Sequence, residues 1–168
     1  MKKTLIIFVL FLAAFFPCKA QDFTFDGVSM MQPVEQFKEA LEAKGHTVFS
    51  EISRSYLLEG KFLGRKTNFF SVQGYKDYVN EVNVAYSFVT LKEAQAFRKN
   101  AIKQLEKMYP DFNSSIDDTY CNIEGQNGSI SIYWGSKEEF AGGDGIYPKK
   151  HKYVVSIYFQ PKIKKKAK

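Results

Sequence analysis

The residue types that most often carry catalysis are scarce in this chain of 168 residues. It has two histidines, His46 and His151, and two cysteines, Cys18 and Cys121, and none of them has the spacing of a zinc motif. Cys121 has no histidine at a recognisable spacing to activate it, so the sequence predicts a small buried side chain there. The common serine-hydrolase, phosphate-loop and dinucleotide signatures do not occur in the sequence. These observations lower the expectation of catalysis, and they predict neither a metal nor a cofactor.

Aromatic side chains are the stronger candidates for binding. The chain has 16 Phe, 10 Tyr and one Trp, and most of those after residue 20 fall on apolar strand faces. Phe69, Tyr133 and Tyr158 instead alternate onto a polar face, where aromatic rings form a platform for a peptide or a sugar. Isolated surface aromatics are the ordinary alternative. Tyr147, beside two lysines in the glycine-rich segment 141–150, is a further candidate contact in a recognition loop, and a merely mobile loop is its alternative.

Two helices are predicted to position these side chains. The first covers residues 33–44, with Pro33 at a favoured first-turn position. The second begins at a capping box, in which the side chains of Thr90 and Glu93 satisfy free amides, and it ends at residue 108. Its apolar stripe is predicted to consist of Leu91, Ala94, Phe97, Ala101, Leu105 and Met108.

Period-two hydrophobicity predicts the strands. After a short strand near residue 24, a meander of four strands is predicted between residues 47 and 88, with turns at residues 53–54, 64–65 and 74–75. Three more strands are predicted near residues 117–124, 129–134 and 153–160, with a tight turn at Asn127 and Gly128. The strand over residues 78–88 is expected to have a dry face of Val82, Val84, Tyr86 and Phe88 and a wet face of Glu81, Asn83 and Ser87.

This order of elements predicts an α+β domain. Helices with a single apolar stripe must cover something, and strands with a single apolar face must be covered. The expected architecture is a two-layer sandwich, with two helices packed on one face of an antiparallel sheet and with two helix-plus-meander halves. No linker divides residues 21–160, which indicates a single domain.

The first residues are typical of a secretory signal. Residues 1–20 have a basic start, an apolar run and a small-residue end, with cleavage expected after Ala20. The apolar run is too short for a membrane-spanning helix, which needs about 20 residues. We therefore expect an exported protein, in the periplasm or outside the cell. A lipoprotein cut before Cys18 is the alternative, which Phe16 and Pro17 disfavour.

Charge argues against nucleic acid as a partner. Removing residues 1–20 removes three lysines and lowers the net charge from +6 to +3. Residues 161–168 hold five lysines, so residues 21–160 carry a net charge of −2, and no compositional support for nucleic-acid binding remains. Residues 161–168 are predicted to be a solvated basic tail, and a contact of this tail with an anionic membrane or polysaccharide is the alternative.

Three segments carry a resemblance to known proteins. Residues 22–28, 58–64 and 78–88 read DFTFDGV, LEGKFLG and YVNEVNVAYSF. Together they resemble a group of small exported proteins of unassigned function from gut Bacteroidota. The likeness covers residues 21–110 and implies export and a single domain. That family has no assigned catalytic residues, so the resemblance implies nothing about activity.

The sequence favours a non-catalytic binding module at the cell envelope. Its partner is expected to be a protein or a glycan, held by the open sheet face and by the segment 141–152. One alternative is a small envelope enzyme, such as a hydrolase, whose acidic residues come together only in the fold. The other is an enzyme-inhibitor-like module, which differs from the binding module only in its partner.

Overall fold

The computed structural model describes residues 22–140 and 146–162 of the chain. The predicted signal over residues 1–20 and residues 163–168 of the predicted tail lie outside the described residues. The described residues form a mixed α+β fold, with two α-helices and an antiparallel sheet of eight strands, which confirms the predicted fold class at this level. Neither helix in these two ranges is long and apolar enough to cross a membrane.

The helices and strands follow one another closely along the chain. The first part consists of the hairpin β1 (Thr24–Phe25) and β2 (Val28–Ser29), helix α1 (Val34–Ala43), β3 (Thr47–Ile52), β4 (Ser55–Glu59), the small hairpin β5 (Lys61–Phe62) and β6 (Arg65–Lys66), β7 (Phe69–Tyr75) and β8 (Tyr78–Phe88). The second part consists of helix α2 (Leu91–Met108), β9 (Asn113–Ile116), β10 (Tyr120–Glu124), β11 (Gly128–Ser136), a single 3-10 turn (Lys137–Glu139) and β12 (Tyr153–Pro161).

The large sheet has the strand order β3-β4-β7-β8-β12-β11-β10-β9. Its two central strands, β8 and β12, come from the first and second parts of the chain. They pair antiparallel from Phe88 opposite Tyr153 to Val82 opposite Phe159. This ladder joins the two parts of the chain into one continuous sheet.

One face of this sheet forms the main core together with the helices. The dry face predicted for β8 is confirmed, because Val82, Val84, Tyr86 and Phe88 are all buried. They belong to one cluster with buried residues of both helices: Val34, Phe37 and Leu41 of α1, and Ala94, Ala101, Ile102 and Leu105 of α2. Full burial of a side chain of this size contributes about 1.5–3 kcal/mol, so this cluster provides most of the driving force for folding.

Helix α2 has the predicted bounds and the predicted cap. The Glu93 amide donates to Thr90 Oγ1 at 3.3 Å, and the Thr90 amide donates to Glu93 Oε2 at 3.1 Å. The predicted apolar stripe is wrong at its two ends, because Leu91 and Met108 are exposed. Ile102, which was not predicted, contributes to the core instead.

The predicted wet face of β8 is wrong near its end. Ser87 is fully buried, as is the neighbouring Ala85 on the same face. Tyr147 from the segment before β12 packs against Ala85 and Val154, with Phe69 and Phe140 at the edge of this second cluster. A strand covered on both faces cannot show clean alternation, and local periodicity could not reveal the cover.

Two predicted turns differ from the structure. The turn between β7 and β8 is formed by Lys76 and Asp77, whose φ angles are +48° and +70°, and not by Gly74 and Tyr75. Gly74 lies at a bulge, where its amide donates to the Arg54 carbonyl at 2.8 Å. The turn predicted at residues 64–65 belongs to the small hairpin β5–β6 and not to the large sheet.

The strand β9 was not predicted. Its residues Asn113–Ile116 are all exposed, so they lack the apolar alternation that indicates a strand. The strand predicted at residue 117 begins instead at Tyr120, because residues 117–119 form a turn in which Asp117 Oδ1 accepts a hydrogen bond from the Thr119 amide at 3.1 Å. The sheet therefore has one edge strand more than the sequence indicates.

Gly60 is required by a close approach to a buried histidine. The His46 imidazole is almost fully buried, with Nε2 lying 3.1 Å from Asp26 Oδ2 and the ring edge-on to Phe70. A Cβ atom at position 60 would lie 2.0 Å from His46 Nδ1, closer than any real contact. Any residue other than glycine at this position must displace the imidazole.

We expect Gly60→Ala to destabilise the fold by about 1–3 kcal/mol, as overpacking does in other cores. Urea denaturation followed by circular dichroism measures this loss. In the His46→Ala background the same substitution should cost much less, because the clashing ring is absent. An equal loss in both backgrounds would show that the contact with His46 is not the cause.

Candidate functional site

Three tyrosines come together on the sheet face that is turned away from the main core. Tyr120, Tyr133 and Tyr158 lie on the neighbouring strands β10, β11 and β12. Successive side chains of a strand point to opposite faces, and the residues next to these three, such as Cys121, Ile132 and Ile157, belong to the core. We call the three rings the tyrosine surface, and the face that carries them the open face.

The strand register sets the geometry of the tyrosine surface. Tyr120 lies directly opposite Tyr133, and their ring centroids are 5.0 Å apart with the planes at 39°. Tyr158 lies diagonally across from Tyr133, since Tyr133 pairs with Ser156, and these two rings meet at 5.6 Å and 83°. Tyr133 is 43% exposed, whereas Tyr120 and Tyr158 are half-buried. The result is a stepped aromatic surface with its centre open to solvent.

Polar side chains surround the tyrosine surface. Ser131 donates to Asn122 Oδ1 at 3.4 Å, and Ser156 donates to Asn83 Oδ1 at 2.8 Å, both on the open face. Asn122 also lines a shallow pocket of about 410 Å³ at the end of β10. Amide and hydroxyl groups therefore lie within reach of a molecule resting on the rings.

The carboxylates near this surface are already engaged. Gln160 donates to Glu81 Oε2 at 2.8 Å, and Lys162 Nζ lies 2.7 Å from Glu124 Oε1. The Lys162 ammonium lowers the pKa of Glu124, so this carboxylate stays ionised and paired. The surface consequently offers aromatic and neutral polar groups and little unpaired charge.

Of the four residues predicted to bind a ligand, two lie together on the tyrosine surface. Tyr133 and Tyr158 are brought into contact. Phe69 is half-buried and packs against the second cluster with Tyr147, so it is not part of the tyrosine surface.

The expectation that Tyr147 is an exposed contact in a loop is wrong. Its ring is only 7% exposed and fills the space above the small residue Ala85 and beside Val154. Burial raises the pKa of Tyr147 to about 12, with a further contribution from nearby Tyr158. Residues 141–145 of the predicted recognition loop lie outside the described residues.

Tyr120 is the member of the surface that sequence reasoning missed. A turn at Asn127 and Gly128 would not place Tyr120 opposite Tyr133. The observed turn lies one residue earlier, between Gly125 and Gly128, and Gly128 is already part of β11. Gly128 is needed because a Cβ atom there would lie 2.4 Å from the Phe23 ring, which is a long-range packing contact.

A serine and a histidine lie close together near the start of α2. Ser87 Oγ lies 2.5 Å from His151 Nδ1, beside a pocket of about 480 Å³ that Arg65 and Glu93 also line. This distance suits a nucleophile and its general base. The remaining requirements of a serine hydrolase are a free hydroxyl, a group that orients the histidine and donors for an oxyanion.

These requirements are not met by the residues around Ser87. Ser87 is fully buried, and its amide, which could serve an oxyanion, already donates to Asn68 Oδ1 at 2.8 Å. No carboxylate in the two described ranges forms an ion pair with His151. Hydrogen bonds from Thr90 lower the pKa of Glu93, so that carboxylate is an ionised helix cap and not a proton donor. The Ser87–His151 contact ties the segment before β12 to β8.

The Cys121 thiol is also explained by its packing, since it is buried in the core. Burial raises the pKa of the Cys121 thiol, which disfavours the thiolate that a nucleophile or metal ligand needs. Within residues 22–140 and 146–162, no group of three His, Cys, Asp or Glu side chains lies close enough to hold a metal ion.

Comparisons with known proteins do not assign the chain to a family. No family model, no curated protein and no solved structure matches it. Its function must therefore be inferred from its own residues.

Nitration with tetranitromethane at pH 8 tests the burial of the tyrosines. The reagent attacks accessible tyrosines with available phenolate, so we expect Tyr133 to be nitrated early. Tyr147 should react only after unfolding, because its ring is buried and its pKa is raised to about 12. Peptide mass spectrometry identifies the modified residues. Early nitration of Tyr147 in the native protein would contradict its burial against Ala85 and Val154.

Labelling with a thiol reagent tests the role of Cys121. In protein without residues 1–20, Cys121 is the only thiol, and burial should protect it from Ellman's reagent at pH 8. We expect fast reaction in urea and slow reaction in buffer, at a rate limited by opening of the fold. A fast native reaction would indicate an accessible, activated cysteine.

Proposed function

We propose that the protein is a non-catalytic binding module of the cell envelope that holds a neutral glycan on its tyrosine surface. The observation that carries this proposal is the contact of Tyr133 with both Tyr120 and Tyr158 on the open face. A tyrosine ring offers an apolar face and a hydroxyl group while losing little conformational freedom on binding. These are the two features that complement the C–H faces and hydroxyl groups of a sugar.

The surroundings of the rings favour a glycan over a protein partner. A stable protein interface buries about 800 Å² per partner and has an apolar centre with few charges. Here the rings are bordered by Asn83, Asn122, Ser131 and Gln160, whose side chains suit hydrogen bonds to sugar hydroxyls. Because Glu81 and Glu124 are already engaged, a neutral sugar fits better than a charged one.

The proposal includes export and a particular layout of the domain. Residues 1–20 support export, as a cleaved secretory signal. We further propose a two-layer sandwich of two helix-plus-meander halves within one domain over residues 21–160. The element order supports this layout, because each helix precedes four strands of the large sheet and the two sets meet at β8 and β12.

Substitution of the rings tests the proposed glycan site. We expect the double variant Tyr120→Ser, Tyr133→Ser to lose roughly fivefold or more in affinity, because two ring contacts together contribute about 1–3 kcal/mol. The measurement is calorimetric titration with a panel of neutral hexasaccharides, namely cellohexaose, maltohexaose and chitohexaose.

The matched control is the double variant Tyr75→Ser, Tyr78→Ser. These two tyrosines are also exposed, at 58% and 47%, but they lie at the turn between β7 and β8. The control should retain full affinity, and both variants should keep the thermal stability of the wild type. Equal binding by both double variants, or binding of none of the hexasaccharides by the wild type, contradicts the proposal.

A further inference from the structure

A groove runs between helix α2 and the edge strand β9, on the opposite side of the sheet from the tyrosine surface. It has a volume of about 480 Å³, and its lining includes Arg98, Lys99, Ile102 and Lys103 of α2 and Ile116 of β9. We call it the β9 groove. Ile102 is buried and Ile116 is exposed, so the groove has an apolar floor with an apolar rim on the strand side.

The strand that borders the β9 groove has free backbone groups. β9 is the last strand of the sheet and pairs only with β10. The Asp117 amide donates to the Tyr120 carbonyl at 2.8 Å, and hydrogen-bonded and non-hydrogen-bonded pairs alternate along an antiparallel ladder. The amides and carbonyls of Ser114 and Ile116 therefore point away from β10, toward the open edge.

The side chains of the same two residues point toward α2. Ser114 and Ile116 lie opposite Ile123 and Cys121, which are core residues, so all four share one face. The hydrogen bond from Ser114 Oγ to Glu106 Oε1, at 2.7 Å, shows this orientation directly. A strand added to this edge would pair with Ser114 and Ile116 and would place alternate side chains over Ile102.

The helix wall of the groove carries a surplus of positive charge. Arg98 stacks on the Trp134 ring, with its guanidinium 3.3 Å from the ring centroid. Within the described part of the chain, Arg98, Lys99 and Lys103 form no salt bridge, and Arg98 interacts electrostatically with Asp118 at longer range. Glu106, the one carboxylate that lines the groove, accepts a hydrogen bond from Ser114. A ligand lying in the groove would meet three cations and one carboxylate, that of Glu106.

We propose that the β9 groove binds an extended acidic peptide, which pairs with β9 as an additional strand. Backbone pairing supplies affinity, and alternate side chains supply specificity, as in other cases of strand addition. The positive wall selects acidic side chains on the peptide, and the apolar floor accepts an aliphatic side chain between them. The chain's own basic tail, with five lysines in residues 161–168, has the wrong charge for this groove.

The other edge of the sheet is less suited to this role. β3 has an irregular register between Val48 and Ser50, where Phe49 bulges out of the ladder. Bulges on edge strands hinder the addition of another strand. β9 has an uninterrupted register over all four of its residues.

Calorimetric titration of the purified protein with the synthetic octapeptide Asp-Thr-Val-Thr-Asp-Thr-Val-Thr tests the inference, because every second side chain of a strand lies on one face and this spacing turns both Asp and Val toward the groove. We expect Lys99→Glu, Lys103→Glu to weaken binding roughly tenfold or more, since two charge contacts are reversed. The matched control, Lys92→Glu, Lys107→Glu, makes the same charge change on the same helix outside the groove and should change affinity less than about twofold.

Two further probes separate strand addition from simple charge attraction. The same peptide with N-methyl groups on alternate amides should lose binding, because it cannot pair with Ser114 and Ile116. The octapeptide Lys-Thr-Val-Thr-Lys-Thr-Val-Thr should not bind. Tyr120→Ser, Tyr133→Ser should bind the acidic peptide like the wild type, so failure of the glycan proposal and failure of this one are distinguishable.

Three outcomes would overturn the inference. The first is no binding of the acidic peptide by the wild type, and the second is equal binding of the N-methylated peptide. The third is capture of phosphatidylglycerol vesicles that depends on Lys99 and Lys103 while the peptide fails to compete, which would identify a lipid-binding helix instead.

Discussion

The fold depends on the pairing of β8 with β12, which takes place where both faces of the sheet are covered. On one face, Val84, Tyr86 and Ile157 lie in the main core with the helices. On the other, Ala85 and Val154 lie beneath Tyr147. Backbone groups enclosed in this way must be satisfied by one another, so this ladder fixes how the first and second parts of the chain are joined.

The incomplete cover on the open face leaves the proposed glycan site accessible. Tyr147 fills the region above β8 and leaves the tyrosine surface open on β10 to β12. Ala85 and Ser87 are small, so there is room for an aromatic ring above them. Tyr120 and Tyr133 pair across neighbouring strands and occupy the corresponding space with their own rings, which remain at the surface. The tyrosine surface and the β9 groove both involve strands that follow α2. β10 lies between β9 and β11, so the two proposed ligands would contact adjacent strands.

The sequence correctly predicted the elements that are specified by residues close together in the chain. Helix α2 has a capping box and an apolar stripe, and β8 alternates along its dry face, so both could be recognised from neighbouring residues. The failures involve distant contacts. Gly128 closes the hairpin turn, which lies one residue before the predicted one, and is required by the packing of Phe23. Tyr147 was predicted to lie in a binding loop, because the residues that it packs against are not its neighbours in sequence. β9 has only exposed residues, and its strand conformation is imposed by β10.

We propose that the open face has a part filled by Tyr147 and a ligand-binding part, the tyrosine surface. The most direct measurement is NMR of the protein with ¹³C-labelled tyrosine rings during titration with neutral hexasaccharides. We expect shifts at Tyr120, Tyr133 and Tyr158, with little change at Tyr75 and Tyr78. Shifts that are centred on Tyr75 and Tyr78, or an absence of shifts at all three rings of the tyrosine surface, would contradict it.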